Sequence, residues 1–134
     1  MPNPKKMEKI NLRTNNRIEL IDITDKVQAI IAKTKIKDGI CFLFCPHTTA
    51  GLTINENADP SVQRDITNTL NKLVPEGAGY AHSEGNADSH IKSSLFGSSL
   101  TKSRQAPRLG LGESERVRSN FEEERIRGKL YAWR

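Results

Sequence analysis

Apolar and polar residues alternate along two segments near the start of the chain. Residues 7–14 read MEKINLRT and residues 17–23 read RIELIDI, with Asn15 and Asn16 between them. A period of two is typical of strands that bury one face, and a short polar turn can join two such strands. This pattern predicts two half-buried strands that form a β-hairpin.

Two later segments have helical spacing. Apolar residues follow Thr24 at helical intervals, which predicts a first helix that Thr24 caps and that closes at residues 37–39 (KDG). Residues 59–73 predict a second helix, because an Asp-Pro pair is favoured at the N-cap and the first helical position. The N-cap, first residue and apolar stripe of that second helix are Asp59, Pro60, Val62, Ile66, Leu70 and Leu73.

The remaining elements are short. Residues 40–45 (ICFLFC), 52–54, 98–103 and 129–133 have the length and composition of strands, and Asp88 could cap a short helix. Helices interspersed with short strands indicate an α+β fold with a mainly antiparallel sheet. We expect one domain over residues 1–134, with residues 1–6 disordered.

The two cysteines, Cys41 and Cys45, lie on the same face of the predicted strand 40–45. Their separation along the strand is about 13 Å. A disulfide needs Cα atoms within about 7 Å of each other, so the two do not pair. They are interpreted as small buried hydrophobic side chains in a reducing compartment.

Composition restricts the classes of partner. No apolar stretch approaches the roughly 20 residues that cross a bilayer, and the N-terminal residues lack the features of a secretory signal. This predicts a cytoplasmic protein without a membrane partner. The formal charge of +5 suits an anionic ligand, or reflects only a solvated basic surface. Aromatic residues make up 5% of the chain, which argues against a base-stacking nucleic-acid site.

The three histidines of the chain lie close to carboxylate and amide side chains. His47 follows the predicted strand 40–45, and His82 and His90 flank the segment SEGNADS. Such groups in glycine-rich loops are the materials of a polar site, and imidazole is a common zinc ligand. The spacing of His82 and His90 matches no compact zinc motif, so surface or capping roles stay open. The carboxylates, amides and lysine nearby are Glu56, Asn57, Asp59, Glu84, Asn86, Asp88 and Lys92.

Two glycine-containing turns suggest an anion pocket. Backbone N–H groups at Gly85-Asn86 and at residues 97–99, together with a helix that starts near Asp88, could surround an anion. Turn and capping chemistry without any ligand would produce the same residues. The hydroxyl side chains that could extend the pocket are Thr48, Thr49, Ser93, Ser94, Ser98 and Ser99.

Two long motifs resemble one known family. Residues 47–60 read HTTAGLTINENADP and residues 82–99 read HSEGNADSHIKSSLFGSS. In this order and composition they closely resemble the YjbQ-like family, which is linked to a secondary thiamine-phosphate synthase activity. The resemblance extends from about residue 7 to about residue 112.

The resemblance implies an α+β fold with a bent, mainly antiparallel sheet, two main helices and one short helix, assembled as a homotrimer. It also implies a divalent metal, zinc or else magnesium, bound near a small phosphorylated ligand. By position, His47, His82 and His90 become metal ligands or catalytic bases, with Glu84 and Lys92 as further catalytic groups. The implied site walls are Asn55, Glu56, Asn57, Asp59 and Asp88, and the implied anion-binding residues are Thr48, Gly85, Asn86, Ser98 and Ser99.

The implied reaction joins a pyrimidine pyrophosphate to a thiazole phosphate and releases pyrophosphate. A divalent cation, Lys92 and loop amides could stabilise the departing pyrophosphate, and a histidine could transfer a proton. The resemblance does not identify the native substrate.

The chain departs from the family pattern after residue 112. Where the family usually has a Trp-Gln pair, this chain has Ser114 and Glu115, and residues 122–124 (EEE) replace an Asp-Gly-Pro turn. Residues 113–134 are therefore divergent, which leaves two alternatives to catalysis. One is a non-catalytic metal- or anion-binding protein of the same fold, and the other is nucleic-acid binding through the arginines after Arg104.

Overall fold

The computed structural model describes residues 7–56, 59–104 and 128–133, with side-chain surroundings given up to Lys102. Helices and antiparallel strand pairs occur together in this part of the chain, which confirms the predicted α+β class. The elements are β1 (Ile18–Asp22), α1 (Thr24–Lys33), β2 (Gly39–Phe44), β3 (Ala50–Ile54), α2 (Pro60–Leu73), α3 (Ala87–Phe96), β4 (Ser99–Arg104) and β5 (Gly128–Trp133).

The described strands form two antiparallel ladders. In the first, β5 lies between β1 and β3, so that Tyr131 pairs with Leu20 on one side and with Gly51 on the other. In the second, β2 pairs with β4, with Leu43 opposite Leu100. The predicted strands at 40–45, 52–54, 98–103 and 129–133 are confirmed within one or two residues.

The predicted N-terminal hairpin is wrong. Residues 7–14 form no strand, and β1 pairs with the C-terminal strand β5 instead. Backbone N–H groups of both asparagines ahead of β1 donate to Glu19 Oε2, at 2.8 and 3.3 Å, and so form a local turn. Ile10 and Leu12 pack against the core, so the alternation of residues 7–14 reflects burial without a strand partner.

Helix α1 starts one residue earlier than its predicted cap requires. Thr24 is the first helical residue and not the N-cap, and its backbone N–H donates to Asp22 Oδ1 at 2.9 Å. The helix ends at Lys33, and Lys35 follows with a φ of 57°. The helix is therefore shorter than the predicted closure at residues 37–39.

Helix α2 begins as predicted. Asp59 is its N-cap, its side chain accepts a hydrogen bond from the backbone N–H of Ser61 at 2.8 Å, and Pro60 is the first helical residue. The apolar stripe ends earlier than predicted, because Leu73 is 70% exposed while Val74 beyond the helix is buried.

The core lies on both faces of the β1–β5–β3 ladder. Side chains at alternate positions of β1 divide between two clusters, as the two faces of a strand require. The larger cluster is Ile23, Val27, Cys45, Ala50 and Leu52, with Cys41, Leu43 and Leu100 packed against it. The smaller cluster is Leu70 with Ile18, Leu20, Ile66 and Phe96.

Helix α3 lies unusually close to β3 because of one glycine. A Cβ atom at Gly51 would stand 2.7 Å from Phe96 Cβ and 3.2 Å from the carbonyl oxygen of Gly97. Both are closer than ordinary van der Waals contact. The absence of a side chain at residue 51 therefore sets the distance between α3 and the sheet.

Candidate functional site

Three hydrogen bonds join residues 45–52 to residues 93–98, which lie in or beside the two motif segments. Ser93 Oγ donates to the carbonyl oxygen of Ala50 at 2.7 Å. The backbone N–H of Leu52 donates to the carbonyl oxygen of Gly97 at 3.0 Å. The backbone N–H of Cys45 donates to the carbonyl oxygen of Ser98 at 2.7 Å. These bonds hold residues 45–52 against the C-terminal end of α3.

A group of polar residues therefore lies at the C-terminal end of α3. His47 and Thr48 come directly after the Cys45–Ser98 hydrogen bond, and Ser98 and Ser99 follow the helix; all four residues are exposed. We call His47, Thr48, Ser98 and Ser99 the C-end cluster.

A second group of polar residues lies at the N-terminal end of α3. The rings of His82 and His90 meet edge to face, with centroids 5.2 Å apart and an interplanar angle of 86°. His82 Nε2 lies 3.6 Å from Glu84 Oε2. Gly85, with a φ of 74°, turns the chain into the helix at Asn86. We call His82, Glu84, Gly85, Asn86 and His90 the N-end cluster.

The two clusters are separated by the length of α3. The helix has 10 residues, which at 1.5 Å per residue is about 15 Å. Within the described ranges, no group of three His, Cys, Asp or Glu side chains is arranged to hold a metal ion. One chain thus brings His82 beside His90 but leaves His47 at the other end of α3. The predicted anion-binding residues are separated by the same helix, with Gly85 and Asn86 at its start and Ser98 and Ser99 after its end.

Lys92 and Asp88 belong to a buried ionic network. Lys92 Nζ donates to Asn71 Oδ1 at 2.8 Å and to Asp88 Oδ2 at 3.2 Å. The Arg17 guanidinium donates to both Asp88 oxygens, at 2.8 and 3.0 Å, and its Nε lies 3.2 Å from Glu76 Oε1. Lys92 is 0% exposed and Asp88 is 1% exposed.

The electrostatics of this network keep Asp88 ionised. The hydrogen bonds from Arg17 lower the pKa of the Asp88 carboxyl, burial opposes this, and Lys92 adds to the lowering. The same contact with Asp88 raises the pKa of the Arg17 guanidinium. Asp88 therefore anchors α3 to Arg17 ahead of β1 and does not cap the helix, whose N-cap is Asn86.

Burial changes the interpretation of two predicted site residues. Lys92 was expected to act on a ligand and Asp88 to line a wall, but both side chains face the interior and are bonded to each other. Sequence patterns did not identify Arg17 or Asn71. Arg17 is 71 positions away from Asp88 along the chain, so no local spacing indicates the pair.

The predicted wall of residues 55–59 is exposed where it is described. Asn55 Oδ1 accepts the backbone N–H of Glu56 at 2.7 Å. Asp59 caps α2, and the Ser61 N–H lowers the pKa of its carboxyl. Asn57 lies outside the described residues.

Two buried oxygens in the first turn of α3 and its cap have no hydrogen-bond partner among the described residues: Ser89 Oγ and Asn86 Oδ1. Ser89 is 0% exposed and precedes His90. Buried polar atoms are nearly always hydrogen-bonded, so these two oxygens have unused capacity beside the N-end cluster. Sequence patterns did not identify Ser89 as part of the site.

Both cysteines are free thiols, with Cys45 buried and Cys41 partly buried. Burial raises the pKa of the Cys45 thiol, although a hydrogen bond from the backbone N–H of His47 opposes this, and burial also raises the pKa of Cys41. Raised pKa values favour the unreactive thiol form over the thiolate nucleophile. Across the described residues, no helix is long and apolar enough to cross a membrane.

Comparison with known proteins identifies the family. The model of the family described as UPF0047 protein YjbQ-like matches residues 8–129. This chain belongs to the YjbQ-like family. A UPF0047 protein of Methanocaldococcus jannaschii is 54% identical to this YjbQ-like chain over 97 residues, which are 72% of the chain and 70% of that protein. The YugU protein of Bacillus subtilis is 42% identical over 107 residues, covering 79% of the chain and 81% of YugU.

Solved structures agree with this family assignment. A YjbQ/UPF0047 family protein of Clostridium acetobutylicum is 42% identical and superimposes with a TM-score of 0.71, covering 90% of this YjbQ-like chain and 83% of that one. A hypothetical protein of Aeropyrum pernix K1 is 25% identical with a TM-score of 0.71, covering 91% and 83% of the two chains.

Proposed function

We propose that this YjbQ-like protein is a metal-dependent enzyme that acts on a phosphorylated small molecule. The proposal includes a weak thiamine-phosphate synthase activity, in which a pyrimidine pyrophosphate and a thiazole phosphate are joined. The observation that carries it is the N-end cluster, where two imidazoles, a carboxylate and a helix N-terminus meet at the junction of an exposed loop and the first turn of α3.

The spacing of His82 and His90 supports a shared metal ion. Two imidazoles bound through nitrogens at about 2.0–2.1 Å to one tetrahedral ion have ring centroids roughly 5 Å apart. The two centroids here are 5.2 Å apart, and Glu84 lies beside His82. His82 and His90 would hold a divalent ion, with zinc favoured by imidazole ligands. The predicted third ligand, His47, lies at the other end of α3 in the same chain. The ion would supply Lewis-acid stabilisation of phosphate charge.

The start of α3 supports binding of a phosphate. Backbone N–H groups at a helix N-terminus attract anions, and Gly85 exposes the backbone at this turn. A formal charge of +5 also favours an anionic substrate. The proposal also includes assembly as a homotrimer and a cytoplasmic location. Both of these rest on the sequence alone.

A second function is a metal- or anion-binding protein without turnover. The burial of Lys92 favours this alternative, because its ammonium is bonded to Asp88 and Asn71 and is 0% exposed. Lys92 therefore cannot contact a departing pyrophosphate unless the network opens. The catalytic proposal therefore loses the Lys92 ammonium as a group that could stabilise the departing pyrophosphate.

Metal content tests the proposal directly. Protein purified without a histidine tag and loaded with zinc should contain about one ion per chain, and His82→Ala and His90→Ala should lose it. Ser83→Ala, in the same exposed loop, is the matched control and should retain the metal. Elemental analysis is the measurement, and full retention in both histidine variants would exclude the site.

Turnover separates the two functions. Wild-type protein should form thiamine phosphate from the two phosphorylated precursors, and His47→Ala should not. Unchanged turnover in His47→Ala would reject the catalytic role of this histidine. Metal binding without product formation by the wild type would favour the binding protein.

A further inference from the structure

The loop between α2 and α3 carries His82 with little packing to hold it. Residues 75–85 are exposed except for Tyr80, which is half-buried. Gly77 and Gly79 have φ values of 67° and 74°, and among the described residues no atom beyond the adjacent ones lies within 4 Å of where a Cβ would stand. Segments with few buried contacts open locally at a low free energy. The position of His82 therefore depends on what ties this loop to the rest of the molecule.

His90, the ring that His82 meets, lies on a segment that is held firmly. It belongs to α3 and comes between two buried residues of that helix, Asp88 and Lys92. Lys92 Nζ donates to Asp88 Oδ2 at 3.2 Å and to Asn71 Oδ1 of α2 at 2.8 Å. The two imidazoles are thus carried by an exposed loop and by an anchored helix. Their separation of 5.2 Å depends on how the loop is attached to the helix.

One guanidinium contacts both segments. Arg17 Nη1 and Nη2 donate to the two Asp88 oxygens of α3 at 3.0 and 2.8 Å, and Arg17 Nε lies 3.2 Å from Glu76 Oε1 at the start of the loop. Arg17 directly precedes β1, which is paired along its length with β5. This side chain therefore relates the loop and the helix to the same point of the sheet.

We propose that Arg17 is a positioning residue for the metal site, which holds the loop at the distance from α3 at which His82 and His90 can share one ion. Arg17 acts through Glu76 on the loop and through Asp88 on the helix. A guanidinium suits this role because its five N–H donors form a rigid planar fork that can bind two carboxylates at once. The inference rests on the proposed metal ion for its chemistry, while the placement of the two rings is measured without any metal.

The two carboxylates that Arg17 binds differ in exposure, so their contributions can be separated. Asp88 is 1% exposed, and breaking a buried ion pair destabilises the whole fold. Glu76 is 62% exposed, and an exposed ion pair contributes little to overall stability. Metal affinity still falls by the fraction of molecules in which the loop is in place. Loss of the Glu76 contact should therefore weaken metal binding in a protein that remains stably folded.

Arg17→Lys tests the bridge while keeping the positive charge. A single ammonium can neutralise Asp88, but it cannot reproduce the two bonds to Asp88 together with the contact to Glu76. The zinc dissociation constant, measured by competition with a coloured chelator, should rise about tenfold, as for other groups that orient metal ligands. Val27→Ala is the matched control. It opens a cavity at a 2% exposed position of α1, so it should lower stability and leave zinc affinity unchanged.

Glu76→Gln removes the loop contact alone and carries the test if Arg17→Lys does not fold. Its zinc dissociation constant should rise roughly fivefold, with a urea midpoint close to that of the wild type. Asp65→Asn removes the same charge from an exposed position of α2 and should leave zinc affinity unchanged. The double variant of Arg17 and Glu76 should bind zinc no more weakly than Arg17→Lys alone, because both changes break one contact.

The ring contact is measured in metal-free protein. Nuclear Overhauser contacts between the ring protons of His82 and His90 should be present in the wild type and weaken in Arg17→Lys and Glu76→Gln, with circular dichroism to check folding. The inference is overturned if the wild type lacks these contacts, if both variants keep them unchanged, or if both bind zinc within twofold of the wild type. A wild type that binds no zinc, with ring contacts that still weaken in the variants, rejects the proposed metal site and supports the placement of the loop by Arg17.

Discussion

At the scale of single residues, the buried network around Asp88 is the least expected feature of this protein. The first turn of α3 contributes a carboxylate, Asp88, that is 1% exposed and bonded to two cations. Buried charges are tolerated only when they are paired and hydrogen-bonded, and here Arg17, Lys92 and Asn71 meet that requirement. The network positions α3, and so both clusters at its ends.

Asp88→Asn should destabilise the protein by about 3–5 kcal/mol, because it leaves the buried Lys92 ammonium without its carboxylate. Glu76→Gln removes the other carboxylate on Arg17, but Glu76 is 62% exposed and should cost only about 0–1 kcal/mol. Urea unfolding of both variants is the measurement. Equal losses in the two variants would show that burial is not the cause.

The Asp88 network also predicts how stability changes with pH. Because the folded state lowers the pKa of Asp88, its stabilising effect is present above the unfolded pKa of about 3.9 and is lost as pH falls through the lower folded value. The stability difference between wild type and Asp88→Asn should therefore be constant near neutral pH and shrink below about pH 4. A difference that persists unchanged into strong acid would contradict this assignment.

At the scale of elements, the packing of α3 against β3 depends on Gly51. Gly51→Ala should destabilise the protein by about 1–3 kcal/mol, because the new methyl group would meet Phe96 Cβ and the Gly97 carbonyl. Gly39→Ala is the matched control, since its methyl group would meet only the Cγ2 methyl of Ile36 at 3.2 Å, on a side chain that is 45% exposed. Thermal unfolding compares the two, and a larger loss in Gly39→Ala would refute the argument.

Elements were predictable where local chemistry decides them. The start of α2 follows from Asp59 and Pro60, whose capping and backbone preferences act within one turn. The strand partners were not predictable in the same way. Residues 7–14 alternate like a strand, yet β1 takes β5 as its neighbour, more than a hundred residues away. Periodicity reports which side chains are buried and says nothing about which strand is adjacent.

At the scale of the whole molecule, the proposed homotrimer and the exposed apolar side chains Phe42, Phe44 and Leu95 predict that stability depends on protein concentration. Folding coupled to assembly should raise the midpoint of thermal unfolding by roughly 5 °C for a hundredfold rise in concentration. In Phe42→Glu, which places a charge on the exposed apolar face of β2, this dependence should weaken. Calorimetry at several concentrations is the measurement, and a constant midpoint for the wild type would argue against assembly.

The site was predictable as a set of residues but not as an arrangement. The two motifs identify His47, His82 and His90, and the structure brings one pair of them together at 5.2 Å. The burial of Lys92 and Asp88, and the separation of the two clusters by α3, could not be predicted from either motif.

The sequence by itself determined the α+β class, the start of α2, most strands and the residues that carry the chemistry. Each of these follows from propensity, capping or periodicity, which act over a few positions. Only the tertiary structure decided the place of β5 between β1 and β3, the pairing of Arg17 with Asp88 and the placement of His47 and His90 at opposite ends of α3. These depend on contacts between residues far apart in the chain, and such contacts are set by how the whole core packs.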